Sequence, residues 1–122
     1  VEKHGLITVW GSGDQVRDFI YIEDVVDCVM ATYQQLVPGE ALNVGSGSAT
    51  SFTQLARIAC QVLGHETEIF SDTSKPEGVF YRVADTHKLD RFGWKPTISL
   101  EEGIERVAAY IRKQLDTEMK SC

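Results

Sequence analysis

Apolar residues in this chain follow two patterns, short runs bounded by turn residues and stripes at helical spacing. The short runs are rich in β-branched and aromatic residues, which is typical of strands. One of them, residues 19–22, is continuously apolar, which predicts a strand buried on both faces. Altogether the runs predict strands at residues 6–10, 19–22, 41–44, 66–70 and 79–84.

Stripes at three-to-four spacing predict three long helices. An N-cap type of residue precedes each stripe, at Asp24, Ser51 and Ser99, and Gln54 and Glu102 complete capping boxes in the last two. We expect one face of each helix to be buried. These faces comprise Val25, Val26, Val29, Tyr33 and Leu36; then Phe52, Leu55, Ala56, Ala59, Val62 and Leu63; then Leu100, Ile104, Val107, Ala108, Ile111 and Leu115.

Strands and helices alternate in the first half of the chain, which favours an α/β arrangement with some parallel strand pairing. The second half is less regular, with a loop at residues 71–78 and a brief helix after Asp85, and has a mixed α+β character. We expect residues 1–122 to form a single domain, with residues 116–122 as a frayed tail.

The composition limits the partners that the chain can have. Its 122 residues carry a net charge of −6, so nucleic acid is repelled on average. No apolar run approaches the ~20 residues that cross a bilayer, and no leader pattern opens the chain, so we expect a cytoplasmic protein without a membrane partner. The chain enters a strand within a few residues of Val1, which suggests a part of a longer protein.

The sequence indicates neither a metal site nor a catalytic group. Three widely spaced cysteines have no histidine at ligand spacing, and two of them lie on apolar helix faces, where we expect buried, inert thiols. The histidines lie near turns with no nucleophile beside them, and no tyrosine has a lysine four residues later. These residues are Cys28, Cys60 and Cys122, and His4, His65 and His87.

Arg17 is the strongest candidate for a functional side chain, because it lies between a turn and an apolar run. Its planar guanidinium could bind a phosphate or a carboxylate, or it could form an internal ion pair with Asp18 or Asp24. Trp10, at the end of the first predicted strand, is either a core residue or a flat surface for a base or sugar ring. Both pairs of alternatives stay open on the sequence alone.

The loop at residues 71–78 is polar and shows no hydrophobic pattern that would explain its composition. It is either plain surface or, with Asp72 and Lys75, one wall of a binding pocket. Arg82 follows on an apolar-flanked segment and would be a second cation able to meet a diphosphate. Two arginines and a lysine around one pocket would locally offset the negative charge of the chain.

A glycine pair, Gly45-Ser46-Gly47, follows a predicted strand and precedes a helix. With Thr50 in place of a third glycine and Glu66 about 20 residues on, it partly matches a dinucleotide-binding loop. It could hold a phosphate at the helix N-terminus, or it could be only a turn.

Four motifs together carry a resemblance to a known family. They are Trp10-Gly11-Ser12-Gly13, the run from Arg17 to Val25, Asn43-Val44-Gly45-Ser46-Gly47, and Asp85-Thr86-His87-Lys88-Leu89 with Gly93-Trp94. In these motifs the chain resembles the C-terminal part of the extended short-chain dehydrogenases that act on nucleotide sugars, the NAD-dependent epimerase/dehydratase enzymes.

This resemblance implies a fold and a binding site. The fold would be a mixed α/β structure, the C-terminal portion of an extended short-chain dehydrogenase without its N-terminal Rossmann half. Trp10 would line a pocket for a GDP- or UDP-sugar, Arg17 would bind the diphosphate or sugar, and Asp72 would hold the nucleoside end. Lys75 and Arg82 would be nearby phosphate contacts.

The family's glycine-rich cofactor loop and its Tyr-x-x-x-Lys catalytic pair lie in a portion that this sequence does not contain. The resemblance makes residues 43–47 a structural strand and turn, and it implies that this chain alone binds no NAD or NADP, although the full-length family does. We expect the chain to be catalytically inactive by itself. The alternative is a free-standing binding module that forms a homodimer over the face that the missing portion would cover.

Overall fold

The computed structural model describes residues 5–120, which form four helices and five short strands. In chain order these elements are β1 (Ile7–Trp10), β2 (Val16–Arg17), α1 (Ile22–Thr32), β3 (Thr50–Ser51), α2 (Phe52–Leu63), β4 (Ile69–Asp72), β5 (Tyr81–Arg82), α3 (His87–Asp90) and α4 (Leu100–Lys120). No helix in this part of the chain combines the length and the apolar character that a membrane span requires.

The strands form two small sheets. β1 and β4 pair in parallel, and β2 lies at the centre of the second sheet, antiparallel to β3 and parallel to β5. The predicted mixture of helices with parallel strands is therefore confirmed. Because parallel strands end at the same edge, Trp10 lies opposite Asp72, which is the last residue of β4 and not the loop residue that we predicted.

α1 begins earlier than the sequence predicts. Its N-cap is Tyr21, without a side-chain cap, so the prediction that Asp24 caps this helix is wrong. The Asp24 carboxylate instead accepts hydrogen bonds of 3.0–3.1 Å from the backbone N–H groups of Thr97 and Ile98 and from the Thr97 hydroxyl. Asp24 is 2% exposed, so these bonds to the segment before α4 compensate for its burial.

The buried face of α1 also differs from the prediction. The residues that are buried, Asp24, Cys28 and Thr32, lie four apart on one side of the helix. Val26 and Val29, which we expected in the core, are 53% and 48% exposed. An apolar stripe of α1 therefore faces outwards in the described part of the chain.

Two predicted strands do not form. Residues 19–22 follow β2 as irregular chain and the first turn of α1, and residues 41–44 have no strand beside them within residues 5–120. The second segment is held by side chains, since Asn43 donates to the Asp85 carbonyl and Lys88 donates to the Ala41 carbonyl. An apolar run becomes a strand only where a neighbour supplies the hydrogen-bonding ladder.

The predicted N-caps of α2 and α4, Ser51 and Ser99, are confirmed. Ser51 Oγ accepts from the Gln54 N–H and Ser99 Oγ accepts from the Glu102 N–H, both at 3.1 Å. Gly64 ends α2 in the left-handed conformation, with φ of 66°. α4 continues through Lys120, so residues 116–120 are helical and not the frayed tail that we predicted; residues 121–122 lie outside the described residues.

The hydrophobic core is small. Among the described hydrophobic residues only Cys28 and Leu89 are buried, at 0% and 3% exposure. α2 packs against α4, and an apolar groove of about 320 Å³ runs between them and residues 19–21. The apolar stripe of α4 lines this groove and is about half exposed at Val107 and Ile111, so it is less buried than predicted.

Candidate functional site

Arg17 and Arg82 lie opposite each other on the neighbouring strands β2 and β5. Cross-strand neighbours of like charge repel each other where their charged groups come close. The Arg17 guanidinium donates from Nη1 to the Val16 carbonyl at 2.7 Å and lies 5.4 Å from the centroid of the Phe52 ring. The fold therefore places two arginines at the same register position of one sheet, on an acidic chain.

Arg17 forms no ion pair with any carboxylate of residues 5–120. The internal ion pair with Asp18 or Asp24 that the sequence left open is therefore not made. Both carboxylates have other partners, Asp24 in the segment before α4 and Asp18 in the turn at residues 45–47. Most of the guanidinium's donors remain available to an anion.

Asp18 joins three parts of the chain around Arg17. Its carboxylate accepts hydrogen bonds from the Ser46 N–H (2.8 Å), the Ser46 hydroxyl (2.5 Å), the Gly47 N–H (2.9 Å) and the Ala84 N–H (3.2 Å). Partial burial by itself would raise the pKa of this carboxyl, but the hydrogen bonds outweigh it and the pKa lies below its usual value. A Cβ at Gly45 would come within 2.6 Å of Asp18 Oδ2, so the close approach requires glycine.

The same contacts decide the role of the Gly45-Ser46-Gly47 turn. The N–H groups of Ser46 and Gly47 already donate to Asp18, and α2 begins only at Phe52, after β3. The described residues therefore do not fit the phosphates of NAD or NADP at this turn, and the dinucleotide alternative is not supported. The turn is structural, although the strand that we expected before it is absent from the described residues.

Trp10 is an exposed platform and not a core residue. The residue is 59% exposed at the end of β1. The Lys75 ammonium lies 5.9 Å from the centroid of the indole, which is within cation–π range. The indole and this cation therefore form one wall, which we call the Trp10–Lys75 wall.

Local hydrogen bonds fix the loop that carries Lys75. Asp72 Oδ1 accepts from the N–H of Ser74 (3.1 Å) and from its hydroxyl (2.6 Å), while the Lys75 N–H donates to the Asp72 carbonyl (3.1 Å). Glu77 accepts from the Ser12 N–H at 2.7 Å, and bonding to Ser12 keeps the pKa of the Glu77 carboxyl below its usual value. The loop is thereby attached to the turn that follows Trp10.

Gln15 is a residue of this region that we did not predict. It is 2% exposed, and its Nε2 donates to the carbonyls of Trp10 (2.9 Å) and Glu77 (3.3 Å). The first partner is five residues away and the second is 62 residues away. No local sequence pattern indicates its burial, because its partners are read only from the structure and one of them is distant in the chain.

The five predicted site residues fall into two groups. Trp10, Asp72 and Lys75 lie at the edge where β1 and β4 end, and Arg17 and Arg82 lie on β2 and β5. Residues 11–16 connect the two groups along the chain.

Other titratable groups lie apart from these groups. His87 is exposed and pairs with Asp85 at 2.7 Å, which raises the pKa of the imidazole. Cys28 is buried, as predicted, and burial raises the pKa of its thiol, whereas Cys60 is half-buried. His4 and Cys122 lie outside the described residues.

The family model of the NAD dependent epimerase/dehydratase family matches residues 1–45 of this chain. A GDP-L-fucose synthase of Sinorhizobium fredii is 38% identical over 106 residues, which are 87% of this chain and 34% of the relative. A probable GDP-L-fucose synthase of Oryza sativa is 35% identical over 98 residues, 80% of this chain and 30% of the relative. These comparisons confirm the resemblance of the motifs to the family and add a likeness to GDP-L-fucose synthases.

Solved structures show the same fold. UDP-glucose 4-epimerase of Thermotoga maritima, determined with UDP-glucose, superimposes with a TM-score of 0.80 at 30% identity, covering 93% of this chain and 37% of that one. A GDP-6-OMe-4-keto-L-xylo-heptose reductase of C. jejuni gives 0.78 at 26% identity, covering 89% and 34%. This chain therefore spans about a third of the length of the relatives that it matches.

The motifs, the mixed α/β fold and these likenesses agree with one another. The chain is similar to the NAD-dependent epimerase/dehydratase family, to GDP-L-fucose synthases among others, and has the C-terminal part of the extended short-chain dehydrogenase fold.

Proposed function

We propose that this chain binds a nucleotide sugar and holds its diphosphate at Arg17 and Arg82. The observation that carries the proposal is the cross-strand arginine pair, in which Arg17 has no carboxylate partner among residues 5–120. A guanidinium binds phosphate oxygens through two parallel hydrogen bonds, and a diphosphate supplies two such groups in sequence. Its negative charge would also relieve the repulsion between the two arginines.

The Trp10–Lys75 wall would hold the remainder of the ligand. The exposed indole offers a flat surface to a base or sugar ring, and the nearby ammonium adds positive charge. Asp72, already bonded to Ser74, would contact the nucleoside end. The relatives named for GDP-L-fucose and the neighbour determined with UDP-glucose support a GDP- or UDP-sugar as the ligand.

The chemistry of the relatives would need more than this chain. Solved neighbours include proteins determined with NAD or NADP, and hydride transfer requires such a cofactor together with an acid–base group. The sequence holds no tyrosine followed by lysine four residues later. In this proposal the chain alone binds nucleotide sugar without turning it over, and it binds no NAD or NADP.

Calorimetric titration with GDP-fucose and UDP-glucose tests the proposal. Arg17→Ala should weaken binding by about 10- to 100-fold, the range expected for hydrogen bonds to a charged group. Arg112→Ala, an exposed arginine on α4, removes the same charge elsewhere and should leave the affinity unchanged. Absence of heat from the wild-type chain, or equal losses in both variants, would overturn the proposal.

A second candidate function is self-association without nucleotide-sugar binding. It is favoured by the apolar stripe that α1 leaves exposed, which includes Ile22, Val26, Val29, Met30 and Tyr33. A contiguous apolar surface of this kind marks a site for another protein surface, and a second copy is the simplest partner. The two candidates differ in outcome, since the second predicts a stable dimer that gives no heat with either nucleotide sugar.

A further inference from the structure

Gln15 lies where the two groups of site residues meet. It is 2% exposed and stands immediately before β2, the strand that carries Arg17. Its Nε2 donates to the carbonyl of Trp10 at 2.9 Å and to the carbonyl of Glu77 at 3.3 Å. One amide nitrogen thus connects β2, the end of β1 and the loop that carries Lys75.

The orientation of this amide follows from its neighbours. Both groups near Nε2 are carbonyl oxygens, which only accept, so the nitrogen must face them and the oxygen must face away. Gln15 Oε1 is buried and accepts no hydrogen bond from the described residues. A residue needed only to fill space would not keep a buried polar oxygen without a partner, because an apolar side chain of the same length avoids that cost.

The packing around the amide leaves little room for adjustment. Gly11 turns the chain next to this amide with a φ of 73°. A Cβ at Gly11 would come within 2.7 Å of Gln15 Nε2 and would also overlap the side chain of Glu77. The turn after Trp10, the Gln15 amide and the 73–78 loop therefore form one close-packed unit. A shift of the amide would move the Trp10–Lys75 wall.

We propose that Gln15 is a positioning residue of the nucleotide-sugar site. It sets the Trp10–Lys75 wall at a fixed place relative to Arg17, so that a base or sugar ring on the indole and a diphosphate at the arginines are bound together. The inference rests on the proposed function, because it assigns Gln15 a role in that same site. Gln15 touches no ligand in this account and acts through the backbone of Trp10 and Glu77.

A double-mutant cycle tests this role. Gln15→Met keeps the length of the side chain but removes the two donated hydrogen bonds, and it should weaken GDP-fucose binding by about tenfold. In a Trp10→Ala background the same substitution should have almost no further effect, because the wall through which Gln15 acts is already lost. In an Arg17→Ala background it should retain its full effect.

The control and the contrary results are equally specific. Gln61→Met, an exposed position on α2, should leave the affinity unchanged. An effect of Gln15→Met that is as large without the Trp10 indole as with it would overturn the inference. If Gln15→Met does not fold, Gln15→Leu replaces it in the cycle, since it lacks the same amide donors and buries no charge.

A second measurement needs no ligand and separates this inference from the proposed function. In a Trp94→Phe background Trp10 is the remaining tryptophan, so its fluorescence reports the wall alone. Gln15→Met should increase acrylamide quenching of Trp10, whereas Gln61→Met should not. If the wild-type chain binds no nucleotide sugar, the proposed function fails, and the quenching measurement alone decides the positioning role of Gln15. Quenching that Gln15→Met leaves unchanged would overturn this positioning role.

Discussion

A single carboxylate can hold a cationic site in place without neutralising it, and Asp18 does so here. It stands next to Arg17 in the sequence, yet its four hydrogen bonds go to the turn at residues 45–47 and to Ala84. The two neighbouring charges are therefore separated in function. Arg17 remains available to an anion while Asp18 fixes β2 beside β5.

Asp18→Asn should lower the free energy of unfolding by about 1–3 kcal/mol at pH 7, since partly buried N–H donors lose charged acceptors. The folded-state pKa lies below the unfolded value of ~3.9, so Asp18 stabilises the fold above that pH and loses this contribution as the pH falls through the folded-state pKa. Urea unfolding of both proteins from pH 7 down to pH 2 measures the difference, which should shrink below about pH 4.

The matched control for this measurement is Asp14→Asn, an exposed carboxylate in the preceding turn, which should change stability little at any pH. A difference between wild type and Asp18→Asn that stays constant from pH 7 to pH 2 would contradict the assigned role of the carboxylate.

The site residues differ in how far the sequence could reveal them. Arg17 stands out because its charge lies between a turn and an apolar run, and Trp10 because a large aromatic ends a predicted strand. The polar loop indicated Asp72 and Lys75, and the apolar-flanked segment after it indicated Arg82. The place of Gln15 depends on Glu77, 62 residues away, so no local pattern indicates it. The same limit applies to Asp18, because its partners lie 28 and 66 residues away.

At the scale of elements, one buried polar residue attaches α1 to the segment before α4. Asp24 accepts three hydrogen bonds from Thr97 and Ile98. Burial alone would raise the pKa of the Asp24 carboxyl, but these hydrogen bonds outweigh it and lower the pKa. Near its start, Glu23 adds a surface ion pair with Arg106 at 2.5 Å. Surface pairs of this kind contribute little, so the buried carboxylate is the stronger of these two polar contacts.

Asp24→Ala should therefore destabilise the protein by roughly 1–3 kcal/mol, because it leaves part-buried N–H groups without an acceptor. Asp27→Ala, on the exposed side of the same helix, should cost less than about 0.5 kcal/mol. Chemical unfolding followed by circular dichroism compares them. Equal costs for the two substitutions would show that the Asp24 contacts do not attach α1.

The helices with strong local signals were predictable and the short strands were less so. α2 and α4 have capping residues and apolar stripes within their own sequences, and both begin where predicted. Residues 19–22 and 41–44 have the apolar composition of strands, but a strand also needs a neighbour to pair with, which composition does not specify. For α1 the stripe correctly indicates a helix, but it does not say which face the rest of the chain covers.

At the scale of the whole molecule, the described chain buries little of its apolar surface. Two buried hydrophobic residues are few for the stretch from residue 5 to residue 120, and large apolar side chains are exposed on α1 and α4. A span of about a third of its relatives is consistent with faces that another surface covers. We propose that residues 1–122 nevertheless act as a single domain, because Asp18 and Asp24 join its halves.

The exposed stripe of α1 leads to a prediction about assembly. The wild-type chain should self-associate with increasing concentration, and Val29→Asp, which places a charge in the stripe, should shift it towards monomer. Sedimentation velocity over a concentration series measures this. Gln61→Asp, at an exposed position on α2, introduces the same change of charge and should leave the association unaltered. A wild-type chain that stays monomeric at all concentrations would contradict an interface on α1.

The central claim is that Arg17 binds the diphosphate of a nucleotide sugar, and titration with graded ligands tests it most directly. Wild type and Arg17→Ala are titrated in parallel with GDP-fucose, GDP, GMP and guanosine. The account predicts that the substitution costs about 10- to 100-fold in affinity for GDP-fucose and GDP, less for GMP and nothing for guanosine. An equal loss across all four ligands, or no loss for GDP-fucose, would contradict it.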